Sequence, residues 1–290
     1  MRKRIRILCV LFAVLIGLGG YYLQPLTIFT TPKIETVNLN PQDYRQSAVG
    51  ENILCYDRTL PLHGELQAKA RYKMLVWNLH KGEDEGWQQR LSAYADKADF
   101  VLLQEASQQN QIDRLLSQKK WFGIHAGTFA YRENMSGVML LSTFAPQRYC
   151  VGSEAEPWIR IPKIAEAATY PLNADRTLLV INLHLVNFEW NPLNYSRQLR
   201  GLFHLVSQHQ GPIILAGDFN SWSERRLNLI QQLARQYGLN EVRFSPDERM
   251  RFLGNPLDHI FVRGIRLFNS WTEQTAASDH NPLFIEFGLE

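Results

Sequence analysis

The chain has 290 residues, of which 45% are hydrophobic, and this is enough to bury one large core or two small ones. Its net charge is +3, but four of its 31 basic residues (Arg2, Lys3, Arg4 and Arg6) lie at the start, so the remainder carries 27 basic against 28 acidic side chains. Proteins that grip nucleic acid by its backbone usually carry a basic excess. The composition therefore weighs against a dedicated nucleic-acid binder, although a nuclease with a local basic groove stays open.

Residues 1–23 have the pattern of a membrane or export segment. An uncharged apolar run from Ile7 to Leu23 follows the basic cluster, and its 17 residues are at the low end for spanning a bilayer. A single membrane anchor is favoured over a cleaved signal peptide, because no Ala-x-Ala site follows and Tyr21 and Tyr22 suit a membrane interface. We expect an inner-membrane protein with its domain on the periplasmic side, or a secreted one. A buried N-terminal helix, and hence a cytoplasmic protein, is the alternative.

The next segment, residues 24–70, is predicted to be an irregular linker, because periodicity is weak and four prolines interrupt it. Cys55 and Cys150 have two open interpretations. They form a disulfide in an oxidising compartment, or they are two separate buried thiols.

From residue 71 the pattern changes to strands with helices between them. Strands are predicted at 72–78, 99–105, 137–142, 165–171, 177–184, 212–217, 257–262, 265–271 and 282–287, and helices at 87–97, 108–117, 195–209 and 223–237. The apolar runs 178–181 and 213–216 call for strands buried on both faces. Residues 71–290 are therefore predicted to form one domain of α/β (α+β) type, a four-layer sandwich of two packed mixed β-sheets flanked by helices.

Polar side chains stand at the ends of several of these strands. Glu105 directly follows an apolar strand, where its carboxylate can hold Mg²⁺ or Mn²⁺. Asn78 ends the first strand, and its amide oxygen can bind the metal or orient a metal-bound water. His184 ends another apolar strand, where an imidazole can contact a phosphate oxygen or protonate a leaving oxygen. His80 follows Asn78 closely enough to line the same cleft.

Two further motifs complete a catalytic set. Asp218 and Asn220 alternate along the chain, so on a strand-like trace they point the same way and suit an attacking water and a phosphoryl group. Asp279 and His280 are adjacent and should point apart, so the carboxylate that orients His280 is expected to be Asp258. Asp279 is then left to serve the metal or the nucleophilic water.

Three tryptophans, Trp121, Trp190 and Trp222, have two interpretations. They line a substrate cleft, or they belong to the core, as aromatic residues more often do.

Taken in order, these motifs resemble the endonuclease/exonuclease/phosphatase superfamily, whose members have the deoxyribonuclease I-like fold. The resemblance runs from about Tyr72 to Phe287. Three stretches, Ala216–Trp222, Glu241–Phe244 and Ala277–Leu283, are similar to its YafD-like branch.

The resemblance implies a role for each matching residue. Glu105, Asn78 and Asp279 would serve a divalent metal, and His184 would be a phosphate-contacting or general-acid histidine. Asp218 and Asn220 would orient the nucleophile and stabilise the transition state. His280, paired with Asp258, would be the second catalytic histidine.

The expected function is a Mg²⁺- or Mn²⁺-dependent phosphodiesterase acting on nucleic acid or phospholipid, with the membrane as a second partner through the N-terminal segment. Abasic-site repair is disfavoured, because Asn182–Val186 replaces the Tyr-x-Pro-Asn-Gly type segment of those repair enzymes. A phosphomonoesterase with the same site is the first alternative. A membrane-tethered binding module that has lost catalysis is the second.

Overall fold

The structure is a computed structural model that describes residues 25–50, 53–62, 66, 69–158, 160–173 and 175–290. The predicted membrane or export segment, residues 1–23, lies outside this part of the chain. Within the described residues, no helix is long and apolar enough to cross a bilayer.

The described residues contain seventeen strands and four α-helices. The strands are β1 Leu26–Val37, β2 Tyr44–Gly50, β3 Ile53–Arg58, β4 Tyr72–Asn78, β5 Phe100–Ser107, β6 Phe122–Tyr131, β7 Asn134–Ser142, β8 Arg148–Ala155, β9 Pro162–Pro171, β10 Thr177–His184, β11 Ile213–Asp218, β12 Asn240–Glu241, β13 Arg251–Phe252, β14 Asn255–Pro256, β15 Asp258–Arg263, β16 Ile265–Thr272 and β17 Leu283–Leu289. The helices are α1 Trp87–Lys97, α2 Ile112–Leu115, α3 Leu193–Gln208 and α4 Glu224–Gln236.

Two large sheets carry the fold. The first has seven strands in the order β1-β6-β7-β5-β4-β17-β16, and the second has eight in the order β12-β15-β11-β10-β9-β8-β3-β2. Both are mixed, because β4 pairs in parallel with β5 and β10 pairs in parallel with β11, while their other pairings are antiparallel. A separate hairpin joins β13 to β14.

Three apolar clusters show how the layers pack. The central cluster joins the facing surfaces of the two sheets, with Phe100 and Phe287 from the first and Tyr170 and Ile214 from the second. A second cluster packs α3 and α4 against the outer face of the eight-stranded sheet. A third packs α1 against the outer face of the seven-stranded sheet. The predicted sandwich of two mixed sheets flanked by helices is therefore confirmed.

The structure differs from the irregular linker predicted for residues 24–70. Strands β1, β2 and β3 lie here and extend the edges of both sheets. The prolines are placed where a strand tolerates them: Pro32 lies in the irregularity between Ile28 and Lys33 of β1, and Pro41 starts a 3-10 turn. Edge strands with mostly half-exposed side chains give no continuous apolar run, which is why the sequence pattern missed them.

The predicted helix over 108–117 is also wrong. Gln108–Asn110 form a 3-10 turn, Gln111 has a left-handed backbone with φ 45°, and α2 then runs for only four residues. A left-handed residue cannot continue a right-handed helix, so the turn ends at Gln111. Five further strands had not been predicted: β6, β8 and the two-residue strands β12, β13 and β14.

Cys55 and Cys150 are joined by a disulfide. They lie directly opposite each other in the antiparallel pair of β3 and β8. The sequence had left open whether these cysteines are paired or separate thiols, and in the structure they are paired.

Candidate active site

The register of the central strands brings the predicted site residues to one end of the sandwich. His184 at the end of β10 lies beside Asp218 at the end of β11, and Asp218 lies opposite Asp258 at the start of β15. This end opens into a cavity of about 510 Å³. Seven of the eight predicted residues line it: Asn78, Glu105, His184, Asp218, Asn220, Asp279 and His280. The eighth, Asp258, is buried and contacts His280.

Asp218 is held in one orientation by two hydrogen bonds. The backbone N–H of Asn220 donates to its Oδ1 at 2.9 Å, and the Asn78 amide donates to its Oδ2 at 3.1 Å. Gly217 is required just before it, because a Cβ there would lie 2.1 Å from the Leu183 carbonyl oxygen. Asn220 has a left-handed backbone (φ 47°) rather than the predicted strand-like trace, and its side-chain amide donates to the Leu185 carbonyl at 2.9 Å.

Asp218 has the acid–base property of a general base. Burial raises the pKa of Asp218 to about 6, although the positive charge of His280 opposes the rise. A carboxylate with a pKa near the working pH can take a proton from water far better than an ordinary exposed aspartate can.

His280 forms a buried ion pair with Asp258. Its Nδ1 donates to Asp258 Oδ2 at 2.7 Å, as the sequence had predicted. Burial by itself would lower the pKa of His280, but the carboxylates of Asp258, Asp218 and Asp279 outweigh burial and raise it to about 10. His280 is therefore an imidazolium at neutral pH, positioned to face a negatively charged group.

The loop that carries His280 is fixed to β4. The indole N–H of Trp77 donates to the His280 carbonyl at 2.9 Å, and Ser278 Oγ donates to the Asn78 carbonyl at 2.6 Å. These two contacts hold Asp279 and His280 at the cavity without using the functional atoms of either side chain.

His184 is paired with a cation that the sequence reasoning missed. Lys163 Nζ donates to His184 Nε2 at 2.8 Å, and the same Nε2 lies 3.4 Å from Asp218 Oδ2. Burial, reinforced by the charge of Lys163, holds the pKa of His184 well below its usual range. Because Nε2 of the neutral His184 accepts from Lys163, it has no proton to give a leaving oxygen there, and its role is to position the Lys163 ammonium group towards a phosphate oxygen. Lys163 carries no motif of its own, and only the pairing of β9 with β10 shows that it lies here.

Glu105 projects into the cavity from an irregularity in β5. The register with β7 shifts between Gln104 and Ala106, and Glu105 takes up the extra position with φ 50°. Burial would raise the pKa of its carboxyl group, but nearby positive charge, including that of Lys163 and Lys81, outweighs burial and lowers the pKa. Glu105 is therefore ionised at every physiological pH.

The side chains around Glu105 offer the kind of ligands that a hard divalent cation prefers. Glu105 Oε2 is buried and takes no hydrogen bond, although Lys81 Nζ lies 3.2 Å away. Asp279, half exposed, and the amide oxygen of Asn78 add oxygen donors on the same cavity, and oxygen donors are what Mg²⁺ and Mn²⁺ prefer. Asn78 Oδ1 already accepts from the His80 backbone N–H at 3.0 Å, so only its second lone pair is available.

A second group of potential ligands is better explained as a proton network. Donor atoms of Asp218, Asp258 and His280 all lie within 4.8 Å of one another. Because His280 is protonated and donates to Asp258, it has no lone pair to offer a cation from Nδ1. The Glu105 side of the cavity is therefore the better candidate for a metal site.

Ser221, His259 and Glu241 form a hydrogen-bonded row with the composition of a nucleophilic triad. Ser221 Oγ lies 2.8 Å from His259 Nε2, and His259 Nδ1 lies 2.7 Å from Glu241 Oε1. Both Ser221 and His259 are fully buried, and Ser221 Oγ donates to the Pro256 carbonyl at 2.5 Å. No substrate can reach this serine, so the row supports β14 and β15 instead of performing catalysis.

The remaining sequence candidates are divided between the site and the core. His80 lines the cavity and its Nδ1 lies 2.8 Å from Asp84 Oδ2. Trp190 and Trp222 line a neighbouring cavity, whereas Trp121 is buried in the core.

Comparison with known proteins identifies the family of the chain. Residues 75–280 match the Endonuclease/Exonuclease/phosphatase family. A UPF0294 protein of Vibrio vulnificus strain YJ016, one of the YafD-like proteins, is 36% identical over 291 residues, which cover 100% of this chain and 99% of that protein.

Two solved structures share the fold. The endonuclease/exonuclease/phosphatase of Beutenbergia cavernae DSM 12333 has a TM-score of 0.58 and 16% identity, covering 76% of this chain and 72% of that one. The human Nocturnin catalytic domain, which has a bound sulfate anion, has a TM-score of 0.57 and 16% identity, covering 77% and 96%. The resemblance predicted from the sequence motifs is thus confirmed by the family match, by the relatives and by the fold. The chain belongs to the endonuclease/exonuclease/phosphatase family.

Proposed function

We propose that the protein is a divalent-metal-dependent phosphodiesterase in which a water molecule attacks phosphorus in line with the leaving oxygen. The family to which the chain belongs consists generally of phosphoester hydrolases. One observation supports the more specific proposal: three kinds of group line the same cavity. They are a buried carboxylate with a raised pKa (Asp218), an imidazolium (His280) and the oxygen donors around Glu105.

Asp218 has the role of general base. Its Oδ1 and Oδ2 are oriented by the Asn220 backbone and the Asn78 amide, so its remaining lone pairs face the cavity from a fixed position. It takes the proton of the attacking water as the new P–O bond forms. The bond from phosphorus to the leaving oxygen breaks in the same step, and the leaving oxygen takes its proton from solvent water. Asn220 lines the same wall and its side-chain oxygen can accept the second water proton, which aligns the nucleophile.

The transferring phosphoryl group is held by positive charge on the other walls. His280, fixed as an imidazolium by Asp258, donates a hydrogen bond to a non-bridging oxygen as negative charge grows there. Lys163, whose ammonium group is positioned by His184 Nε2, faces a second non-bridging oxygen. Glu105, Asp279 and Asn78 would hold Mg²⁺ or Mn²⁺, and the bound ion would supply Lewis-acid stabilisation of phosphoryl charge.

The test uses the full chain in detergent with small chromogenic phosphodiesters and phosphomonoesters, plasmid DNA and RNA, in Mg²⁺ or Mn²⁺ and in EDTA. Asp218→Asn should lower turnover by at least about a hundredfold, because the base is removed while the shape is kept. Asp96→Asn, on an exposed position of α1, is the matched control and should turn over normally. Full activity of Asp218→Asn, or activity that EDTA leaves unchanged, would overturn the proposal. Faster turnover of monoesters than of diesters would favour a phosphatase.

We also propose that the domain lies outside the cytoplasm, on the periplasmic side of an inner membrane. The Cys55–Cys150 disulfide supports this, because disulfides persist in oxidising compartments. Proteolysis of spheroplasts that carry the full chain tests it. Degradation of the domain in intact spheroplasts is expected, and protection until lysis would contradict the proposal.

A further inference from the structure

We propose that an apolar rim beside the active-site cavity binds the acyl chains of a phospholipid, so that the substrate of the proposed phosphodiesterase is a lipid phosphoester. The rim consists of Phe188, Trp190, Met250, Phe252 and Leu253. This proposal rests on the proposed function, since it names the class of substrate that the same site would take.

The rim is continuous with the active site. A second cavity of about 340 Å³ lies next to the first, and the two share Asn187, Phe188, Asn220 and Leu257 as lining residues. A phosphoester bound at Asp218 and Asn220 would therefore extend one of its substituents directly into the second cavity. Phe188 stands at the junction between the polar and the apolar part.

The rim concentrates the exposed apolar surface of the molecule. Eleven large hydrophobic side chains are exposed among the described residues, and five of them line these two cavities. Trp190 is 85% exposed and Leu253 is 77% exposed, which is unusual for side chains of this size. A contiguous apolar surface next to a binding cavity indicates a binding partner of apolar character.

The tip of the β13–β14 hairpin carries a leucine in a backbone conformation that leucine disfavours. Leu253 and Gly254 form the two-residue turn between β13 and β14, and both have positive φ, 51° and 84°. Turns of this kind favour Asn or Gly, because a leucine Cβ is crowded in the left-handed region. A strained leucine whose side chain points into water is explained if that side chain contacts an apolar ligand.

The rim is built on rigid supports. Arg226 is buried and its guanidinium donates to the carbonyls of Asn187 at 2.6 Å and Glu189 at 2.9 Å, which fixes the loop that carries Phe188 and Trp190. The buried Ser221 holds the base of the hairpin through the Pro256 carbonyl. These contacts fix the backbone of both segments, so the rim side chains project from fixed positions beside the cavity.

The charges around the rim favour a lipid over a nucleic acid. Arg249 and Arg251 flank the hairpin, but both are paired with Asp247, at 2.9 Å in each case. Outside the first six residues the chain carries 27 basic and 28 acidic side chains, so it lacks the basic excess that a polynucleotide requires. The aliphatic Leu253 and Met250 add apolar contact but no stacking face for a base.

The test compares two substrates that differ only in their apolar group, octyl p-nitrophenyl phosphate and methyl p-nitrophenyl phosphate. The full chain, held in an amphipol, should show a kcat/KM at least about thirtyfold higher for the octyl ester, because seven additional methylene groups leave water. Trp190→Ser combined with Leu253→Ser should reduce that preference at least about tenfold. Leu60→Ser, which changes a 70% exposed leucine that lines neither cavity, should keep it.

A second readout does not depend on turnover. Phosphatidylcholine with short brominated acyl chains should quench tryptophan fluorescence of the full chain, and Trp190→Phe should remove most of the quenching. Quenching through Trp190 without turnover of either ester would support the lipid-binding rim and refute the hydrolase proposal. Equal turnover of both esters with no quenching would overturn the rim proposal and leave the hydrolase proposal standing. Binding of oligothymidine at the rim in place of lipid would overturn it as well.

Discussion

The substitution Asp258→Asn tests the central electrostatic feature of the site. The carboxylate lies 2.7 Å from His280 Nδ1 and contributes to a pKa of about 10 for that imidazole, against an ordinary value of 6.5. Without the carboxylate of Asp258, only Asp218 and Asp279 oppose burial, so the pKa of His280 falls. A fall to the ordinary value of 6.5 would reduce the imidazolium fraction at pH 8 from nearly complete to about one part in 30, and the rate should fall by up to about thirtyfold.

The pH dependence of kcat/KM should show in which direction the pKa of His280 changes. In the wild-type protein, activity should rise as Asp218 loses its proton near pH 6 and fall as His280 loses its proton near pH 10. In Asp258→Asn the descending limb should move to lower pH, because the pKa of His280 falls when its paired carboxylate is removed.

The assay is a pH–rate profile with a small chromogenic diester, with Asp96→Asn as the matched control. Thermal unfolding of each variant separates loss of chemistry from loss of structure. A profile that is lowered equally at every pH, with no displacement of either limb, would refute the assignment of His280 as an imidazolium held by Asp258.

Three further predictions address the cation, the metal and the disulfide. Lys163→Met should lower kcat/KM by about ten- to a hundredfold. It should also raise the pKa of His184, which an NMR titration of the imidazole would show. Lys163→Arg should keep part of the rate, and an equal loss in both variants would contradict a role for the positive charge. Glu105→Gln should weaken Mg²⁺ binding at least about tenfold by calorimetry, and an unchanged affinity would place the metal elsewhere. Cys55→Ser together with Cys150→Ser should lower the free energy of unfolding in urea by about 2–5 kcal/mol, because the disulfide closes a separation of 95 residues; a change below about 0.5 kcal/mol would contradict this.

The sequence predicted the central strands well, because burial on both faces leaves an unmistakable apolar run. The stretch 177–184 coincides with β10, and 72–78 coincides with β4. The ends of the predicted strands also indicated where the site residues lie, since a polar residue after an apolar run stands at the edge of the sheet. All eight predicted site residues therefore lie on or directly behind one cavity.

What the sequence could not show depends on pairing between distant segments. Lys163 becomes significant only because β9 lies beside β10 and places its ammonium group on His184. Edge strands such as β1 and β3 carry little periodicity, since much of their side-chain surface stays in water. The sequence around Trp190 does not distinguish it from Trp121, which is buried. Trp190 is exposed because its loop is held in place by Arg226, which only the folded structure shows.

The most direct test of the account is turnover of a small phosphodiester in ¹⁸O-water with Mg²⁺, by wild-type protein and by Asp218→Asn. We predict that the wild-type monoester product carries one ¹⁸O on phosphorus, that the alcohol carries none, and that EDTA or Asp218→Asn abolishes incorporation. Label in the alcohol, or equal incorporation by Asp218→Asn, would contradict attack on phosphorus by a water that Asp218 activates.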